Sequence, residues 1–189
     1  MSQVPSVRVW DPAVRAFHWG LAASILAAWL TSDEWTSAHI WVGYLAGALV
    51  TFRVVWGFAG SPYARFKSFV QSPRSIARYL ADMVTGRERR YLGHNPAGGA
   101  MIVALLATVA LLGLTGWMQT LDRFWGEEWL EGLHEFLADG LLVLIAAHIT
   151  GVLLASWRHG ENLVFGMISG RKRTAVSGDV SMETIQAAE

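Results

Sequence analysis

The chain has 189 residues, of which 53% are hydrophobic, 16% are charged and ten are tryptophan, and this composition excludes an ordinary soluble domain of this size. The absence of cysteine excludes disulfides, thiolate-held iron–sulfur clusters and covalently attached haem. The formal net charge is zero, but the charges are unevenly distributed along the chain.

Four apolar stretches dominate the sequence, each near the length of about 20 residues that crosses a hydrocarbon core of about 30 Å. Backbone groups in lipid must be satisfied internally, and the glycines in these stretches follow no strand alternation, so helices are expected. The first stretch is long and precedes no clear cleavage site, which favours a retained helix over a signal peptide. The sequence therefore predicts an all-α integral membrane four-helix bundle within residues 1–173, with spans at 14–30, 40–59, 100–118 and 136–157.

The basic residues indicate how the bundle is oriented. Fourteen of the fifteen Lys and Arg lie in the N-terminal arm, at one end of the second span, in the 60–97 loop or after Ser156, whereas the other two loops contain only Arg123. By the positive-inside rule both termini are cytoplasmic, which predicts a multi-pass protein of the bacterial inner membrane. Tryptophans mark both interfaces as aromatic belts, at Trp29, Trp35, Trp41, Trp117, Trp125 and Trp129 outside and at Trp10, Trp19, Trp56 and Trp157 inside.

The long inner loop contains signals for a short amphipathic helix. Ser72 is a good N-cap and Pro73 suits the first helical position. Arg74 and Arg78 are expected to face lipid phosphates, because the helix is predicted to lie on the cytoplasmic surface. Its apolar residues share one face: Ile76, Leu80, Met83 and Val84.

A basic cluster and a polar tail complete the cytoplasmic side. The cluster of Arg87, Arg89 and Arg90 is interpreted as a positive-inside anchor and not as a nucleic-acid site, so no nucleic-acid partner is expected. After Gly170 the chain, from Arg171 onward, is polar and predicted to be mobile, and the segment 174–189 is predicted to be a polar cytoplasmic tail.

Four histidines in the spans form the predicted site. His134 and His148 are fourteen residues apart, which is close to four helical turns, so their rings leave one face about 21 Å apart along the axis. From the predicted orientation, His18 shares the inner depth of His148, and His39 shares the outer depth of His134. These two axial pairs suggest two non-covalently held b-type haems with the four histidines as iron ligands.

These histidines have two alternative interpretations. A single histidine at a helix end is more often an interfacial polar residue, but ionisable residues in lipid are costly, and four at two matched depths indicate function. A metal ion without porphyrin is disfavoured, because no carboxylate or thiolate shares the depth of either pair.

The second span contains further residues suited to a haem. Arg53 follows His39 by fourteen residues on the same face, where it can neutralise a propionate of the inner haem. Gly43 leaves space for a flat macrocycle, while Gly47 fits this role and close helix packing equally well.

Polar residues at the cytoplasmic boundary define a predicted quinone site. A quinone head group requires a hydrogen-bond donor and a proton route, which His94, Asn95 and His159 can supply. A structural role in closing the loop is the alternative for His94, because Asn95 and Pro96 form a turn signal. Asp139 either orients His39 or His134 or faces interfacial water.

Several short motifs occur in order along the chain. They are Val9-Trp10-Asp11-Pro12, Arg15-Ala16-Phe17-His18-Trp19, His39-Ile40-Trp41-Val42-Gly43-Tyr44, Phe52-Arg53-Val54-Val55-Trp56-Gly57, Gly93-His94-Asn95-Pro96 and the stretch from His148 to Met167 with Glu161-Asn162-Leu163. Together they resemble the bacterial cytochrome b561 family, which includes the cytochrome b subunits of nickel–iron hydrogenases. The resemblance covers about residues 7–173 and implies a four-helix membrane bundle that binds b haem and exchanges electrons with quinone. It also implies that His18, His39, His134 and His148 are the haem ligands.

Three functions remain open from the sequence. The leading one is transmembrane electron transfer between a periplasmic redox partner, either a c-type cytochrome or a hydrogenase-like subunit, and the membrane quinone pool. A superoxide:quinone oxidoreductase ranks lower, because the outer loops are acidic and would repel an anion. A non-redox membrane anchor would need the histidines to be structural.

Overall fold

Six α-helices and two short strands make up the part of the chain, residues 5–32 and 35–181, that the computed structural model describes. Four of these helices are long and apolar enough to cross a membrane, which confirms the predicted four-helix membrane architecture. The elements are β1 (Ser6–Arg8), α1 (Pro12–Leu30), α2 (Thr36–Ala59), α3 (Pro73–Val84), α4 (Pro96–Gln119), α5 (Glu128–His159), α6 (Leu163–Ser169) and β2 (Arg171–Arg173), with 3-10 turns at Pro62–Ala64, Phe66–Ser68 and Asp122–Phe124.

The four long helices extend beyond the apolar stretches that predicted them. α5 begins at Glu128 instead of residue 136, since acidic residues in its first turn, Glu128 and Glu131, interact favourably with the helix dipole outside the hydrocarbon region. Consequently His134, which was expected to open its helix, lies in the second turn of α5. His39 lies in the first turn of α2.

The chain packs as two compact units. The helical unit comprises residues 16–55 and 103–147, and the loop unit comprises the described residues among 1–15, 56–102 and 148–189. The core of the helical unit includes Ala46, Val50, Leu106, Val109, Leu130 and Leu141, and that of the loop unit includes Val9, Trp10, Ala64, Phe69, Tyr79, Leu92 and Val180.

Most tryptophans are exposed, as side chains at a membrane interface must be. Trp41, Trp125 and Trp157 are each more than two-thirds exposed. Trp10 is different: it is 7% exposed, and its ring lies 4.4 Å from that of His94. Trp10 therefore forms part of the loop-unit core and is not an exposed belt residue, and its predicted place at the inner interface stays a prediction.

Helix α3 begins where its sequence signals predict. The Ser72 hydroxyl accepts a hydrogen bond from the Ser75 amide at 3.2 Å, and Pro73 is the first helical residue. Tyr79 is the buried residue of this helix, and its ring meets that of Tyr91 edge to face. Burial, together with the charge of Glu88, raises the pKa of Tyr79 to about 12, so its phenol is neutral.

The polar segment after Gly170 was predicted to be mobile, but its first residues form a strand, and residues 182–189 of the predicted tail lie outside the described residues. Residues 171–173 form β2, which pairs antiparallel with β1 at the N-terminus. Gly170 has a φ of 78°, and a Cβ at this position would lie 2.7 Å from the Trp10 carbonyl oxygen, so glycine is required for the turn from α6 into β2. The strand partner lies more than 160 residues away, which local composition does not reveal.

A buried, charge-balanced ion cluster attaches the tail to the loop unit. Arg90, which was assigned to an exposed anchor, is only 6% exposed and forms a bidentate pair with Glu161. It also pairs with Asp179 at 2.5 Å, and Lys172 lies 3.6 Å from Glu161. Two cations therefore neutralise two carboxylates beneath the strand pair.

Acidification is expected to release the tail. Burial would raise the pKa of Glu161, but hydrogen bonds from Arg90 and the charge of Lys172 outweigh it and hold this pKa below its usual value. Burial would also raise the pKa of Asp179, but hydrogen bonds from the Val176 amide and from Arg90 outweigh it and lower this pKa below its usual value. Both carboxyl groups therefore have a lower pKa in the folded state than in the unfolded state. The stability that they contribute is present above their unfolded-state pKa values and is lost as the pH falls through the folded-state values.

A dye on Val176→Cys, unique in this cysteine-free chain, can report this release by fluorescence anisotropy. The anisotropy should fall as the pH drops below about 4. The Glu161→Gln substitution should lower the anisotropy already at neutral pH, because it leaves the charge of Arg90 partly unpaired. If the anisotropy of the labelled protein with Glu161 unchanged stays constant as the pH falls, the ion pairs do not retain the tail.

Candidate metal centre

Two of the predicted site histidines meet within the helical unit. His39 from α2 and His134 from α5 have ring centroids 6.2 Å apart, with their planes inclined by 71°. These are the residues that the sequence analysis assigns to the outer pair.

The proton of His39 is placed by a backbone group. Its Nδ1 lies 2.8 Å from the carbonyl oxygen of Ala28, near the end of α1. A carbonyl oxygen only accepts hydrogen bonds, so Nδ1 must carry the proton and donate. In the neutral ring the lone pair is then on Nε2, where it is available to a metal.

The proton of His134 is placed by a hydroxyl on α4. Thr115 Oγ1 lies 2.8 Å from His134 Nδ1, and the same hydroxyl donates to the Leu111 carbonyl at 2.9 Å. With its one proton donated to Leu111, Thr115 accepts from His134 Nδ1–H, and the lone pair of this ring is then also on Nε2. Thr115 is 4% exposed, so water does not compete for this bond.

A glycine on the same helix allows this close approach. A Cβ at Gly116 would lie 3.2 Å from His134 Cε1, which is closer than ordinary van der Waals contact. Gly116 therefore lets α4 bring the Thr115 hydroxyl next to the imidazole. Helix α4 contains no histidine, yet it determines the tautomer of one.

The pair fits the axial positions of a haem iron. With metal–nitrogen bonds of about 2.0 Å and ring centroids about 1.1 Å beyond the nitrogens, two imidazoles on opposite sides of one metal have centroids about 6.2 Å apart. Within residues 5–32 and 35–181, no group of three or more His, Cys, Asp or Glu is arranged to hold a metal ion. A porphyrin supplies four equatorial nitrogens itself and requires only two axial donors from the protein.

The other predicted haem residues lie on the expected helices. His18 is on α1, where its ring meets Trp19 edge to face at 5.0 Å, and His148 is on α5. His18 belongs to the helical unit and His148 to the loop unit, and their pairing stays a prediction. Arg53 is 3% exposed on α2. Apart from the backbone of its own helix and its chain neighbours, no described residue has an atom within 4 Å of where a Cβ at Gly43 would lie.

The predicted quinone residues have structural contacts in the loop unit. The His94 ring lies 4.4 Å from Trp10 and 5.0 Å from Phe69. Asn95 caps α4, since its side-chain oxygen accepts from the Gly98 amide at 2.7 Å. His159 is the last residue of α5 and not a loop residue as expected. The residue that follows it, Gly160, lines an open groove of about 550 Å³. The other lining residues are Leu153, Ser156, Trp157, Glu161, Asn162 and Val164.

Asp139 does not have the orienting role considered for it. Its side chain is exposed on α5, whereas the bonds to the two rings come from Ala28 and Thr115. Sequence reasoning missed both partners. A buried threonine in an otherwise apolar helix is a weak signal that could have indicated Thr115, but a backbone carbonyl such as that of Ala28 leaves no trace in the sequence.

Comparisons with known proteins extend over most of the chain. Residues 9–170 match the family described as prokaryotic cytochrome b561. The chain is 22% identical to a protein of Bradyrhizobium diazoefficiens described as a probable Ni/Fe-hydrogenase B-type cytochrome subunit, over 89% of this chain and 87% of that protein. No solved structure matches the chain significantly.

Proposed function

The chain belongs to the prokaryotic cytochrome b561 family, and we propose that it is a membrane electron carrier with two haem b groups, connecting a periplasmic redox partner with membrane quinone. Membership in a b-type cytochrome family implies a non-covalent haem b. The observation that carries the proposal is the pair of His39 and His134, each with its Nδ1 proton held by a neighbour and its Nε2 lone pair available.

The residues of the outer site act by fixing ligand geometry before the cofactor binds. Ala28 and Thr115 hold the two rings in one tautomer, which avoids the cost of reorienting them and strengthens the imidazoles as donors. A bound haem supplies a one-electron couple, whose potential depends on axial ligation, hydrogen bonding and burial.

The inner site is proposed from positions along continuous helices. His148 follows His134 by fourteen residues on α5, so about 21 Å of helix separates them on one face. Arg53 follows His39 by the same interval on α2, and its burial in an apolar span suits a cation that meets a carboxylate such as a propionate. His18 is the proposed second ligand of this inner site.

The proposed partners follow from the two ends of this arrangement. The description of the Bradyrhizobium protein supports a hydrogenase-like subunit on the periplasmic side, and the acidic outer loops suit a basic c-type cytochrome equally well. At the cytoplasmic side His94, Asn95 and His159 remain the proposed quinone residues.

An absorption spectrum tests the proposal most directly. The purified protein should show a low-spin b-type spectrum on reduction with dithionite, with about two haems per chain by pyridine haemochrome. In proteoliposomes a quinol analogue should produce the same reduced band without dithionite. A colourless protein would favour the anchor function, and a haem spectrum that quinol never reduces would remove quinone from the proposal.

A further inference from the structure

Helix α3 presents an apolar stripe that is half-buried at Ile76 and exposed at Leu80 and Val84 in the part of the chain that the structure describes. Ile76, Leu80 and Val84 follow one another at intervals of four residues, so they form a line along one side of the helix. Leu80 is 41% exposed and Val84 is 83% exposed. The contact of α3 with the rest of the loop unit is made instead by Tyr79, which is 6% exposed.

The stripe and the contact with the protein lie on different sides of α3. At about 100° per residue, Tyr79 lies about 100° around the helix from Leu80. Arg74 lies about 80° beyond Val84, on the side of the stripe away from Tyr79, and Arg78 lies about 160° from Leu80; both are exposed. The helix therefore has one side against the protein, an apolar side that is exposed at Leu80 and Val84 within the described part of the chain, and a cationic side that runs from the edge of the stripe to the back of the helix.

A hydrogen bond from a spanning helix positions the end of α3. Arg158, in the last turn of α5, donates to the Met83 carbonyl at the end of α3 and pairs with Glu88 at 2.7 Å. Its neighbour Trp157 is 79% exposed, as is typical of a tryptophan at a membrane interface. Arg158 thus holds the end of α3 beside the last turn of α5.

We propose that α3 lies in the headgroup region of the cytoplasmic leaflet and binds anionic phospholipids. Ile76, Leu80 and Val84 insert between the acyl chains, while Arg74 at the edge of the stripe binds lipid phosphate and the charge of Arg78 adds to the attraction. A lipid surface is the occupant that fits, because the end of α3 is bonded to the residue that follows the exposed Trp157 and the exposed cations attract anionic headgroups. The inference is independent of the proposed electron transfer.

Nitroxide labels on single cysteines can test this placement in the full chain, which has no cysteine of its own. Val84→Cys reports the stripe, and Thr85→Cys, one residue on and about 100° around the helix, is the matched control. In liposomes that contain phosphatidylglycerol, the ratio of oxygen to water-soluble nickel-complex accessibility should be several-fold higher at residue 84 than at residue 85.

The lipid charge is tested by two further samples. In liposomes of phosphatidylcholine alone, and in Arg74→Gln/Arg78→Gln protein, the ratio at residue 84 should fall towards that at residue 85, because attraction to phosphate is lost. Equal ratios at the two positions in anionic liposomes would overturn the proposal. Protection of residue 84 from both reagents would also overturn it, since it would show that a protein partner or a second copy covers the stripe.

Discussion

Replacing His134 with alanine is expected to remove one of the two haems. The remaining ring, His39, would provide one axial donor where the proposed site has two, and an iron so ligated loses its low-spin character. Pyridine haemochrome should fall from about two haems per chain to about one, with loss of one low-spin component from the spectrum. His39→Ala should give the same result.

Combinations of variants distinguish the two pairs. His39→Ala/His134→Ala should lose no more haem than either single variant, because the proposal assigns both residues to one iron. His134→Ala/His148→Ala should lose both haems. His159→Ala, which lies on the same helix as His134 and His148, is the control and should keep full haem content. Two low-spin haems in the His134→Ala protein would contradict the assignment.

Replacing Thr115 with valine is expected to weaken the outer site without removing a ligand. Valine has nearly the same shape but cannot accept from His134 Nδ1–H, so a buried donor loses its partner, at a cost of about 1–3 kcal/mol. Loss of a partner that orients a ligand typically lowers metal affinity by about 10–100-fold. A less basic imidazole also stabilises the ferric state less, so the midpoint potential of one haem should rise.

The chain offers a close control for this substitution. Thr108 lies on the same helix and donates to the Ala104 carbonyl at 2.9 Å, much as Thr115 donates to Leu111. Thr108→Val should therefore leave the haem midpoint potentials and the haem content unchanged. Thr115→Ser keeps the hydroxyl, so it should have the same potentials and haem content as the unsubstituted protein. A Thr115→Val protein with unaltered potentials, measured by redox titration, would show that the hydroxyl has no influence on the ligand.

The long helices were predictable because their signals are local. A run of about 20 apolar residues specifies a span wherever it occurs, and the cap and proline at the start of α3 lie within three residues of each other. The ends of α2 and α5 were less predictable. Polar residues such as Glu128 can continue a helix beyond the lipid, so hydropathy marks the hydrocarbon boundary and not the helix boundary.

The loop unit was the least predictable region, because its contacts join distant segments. In the sequence, Arg90 belongs to a basic cluster that is typical of a solvated surface. In the folded protein it is paired with Glu161 and Asp179, which lie more than seventy residues away along the chain. Trp10 similarly resembles an interfacial tryptophan until His94 packs on it. Composition indicates the charge and hydropathy of a side chain but not the partner that buries it.

The sequence by itself determined the membrane architecture, the helices that carry the histidines and the matching depths that predict their pairing, because hydropathy and helical period act over short stretches of chain. The tertiary structure decided how His39 and His134 are held. Their tautomers depend on a carbonyl of α1 and a hydroxyl of α4, and these groups reach the rings only when separate helices pack together. A backbone carbonyl is the same in every residue, so its role can be recognised only from its position in the folded protein.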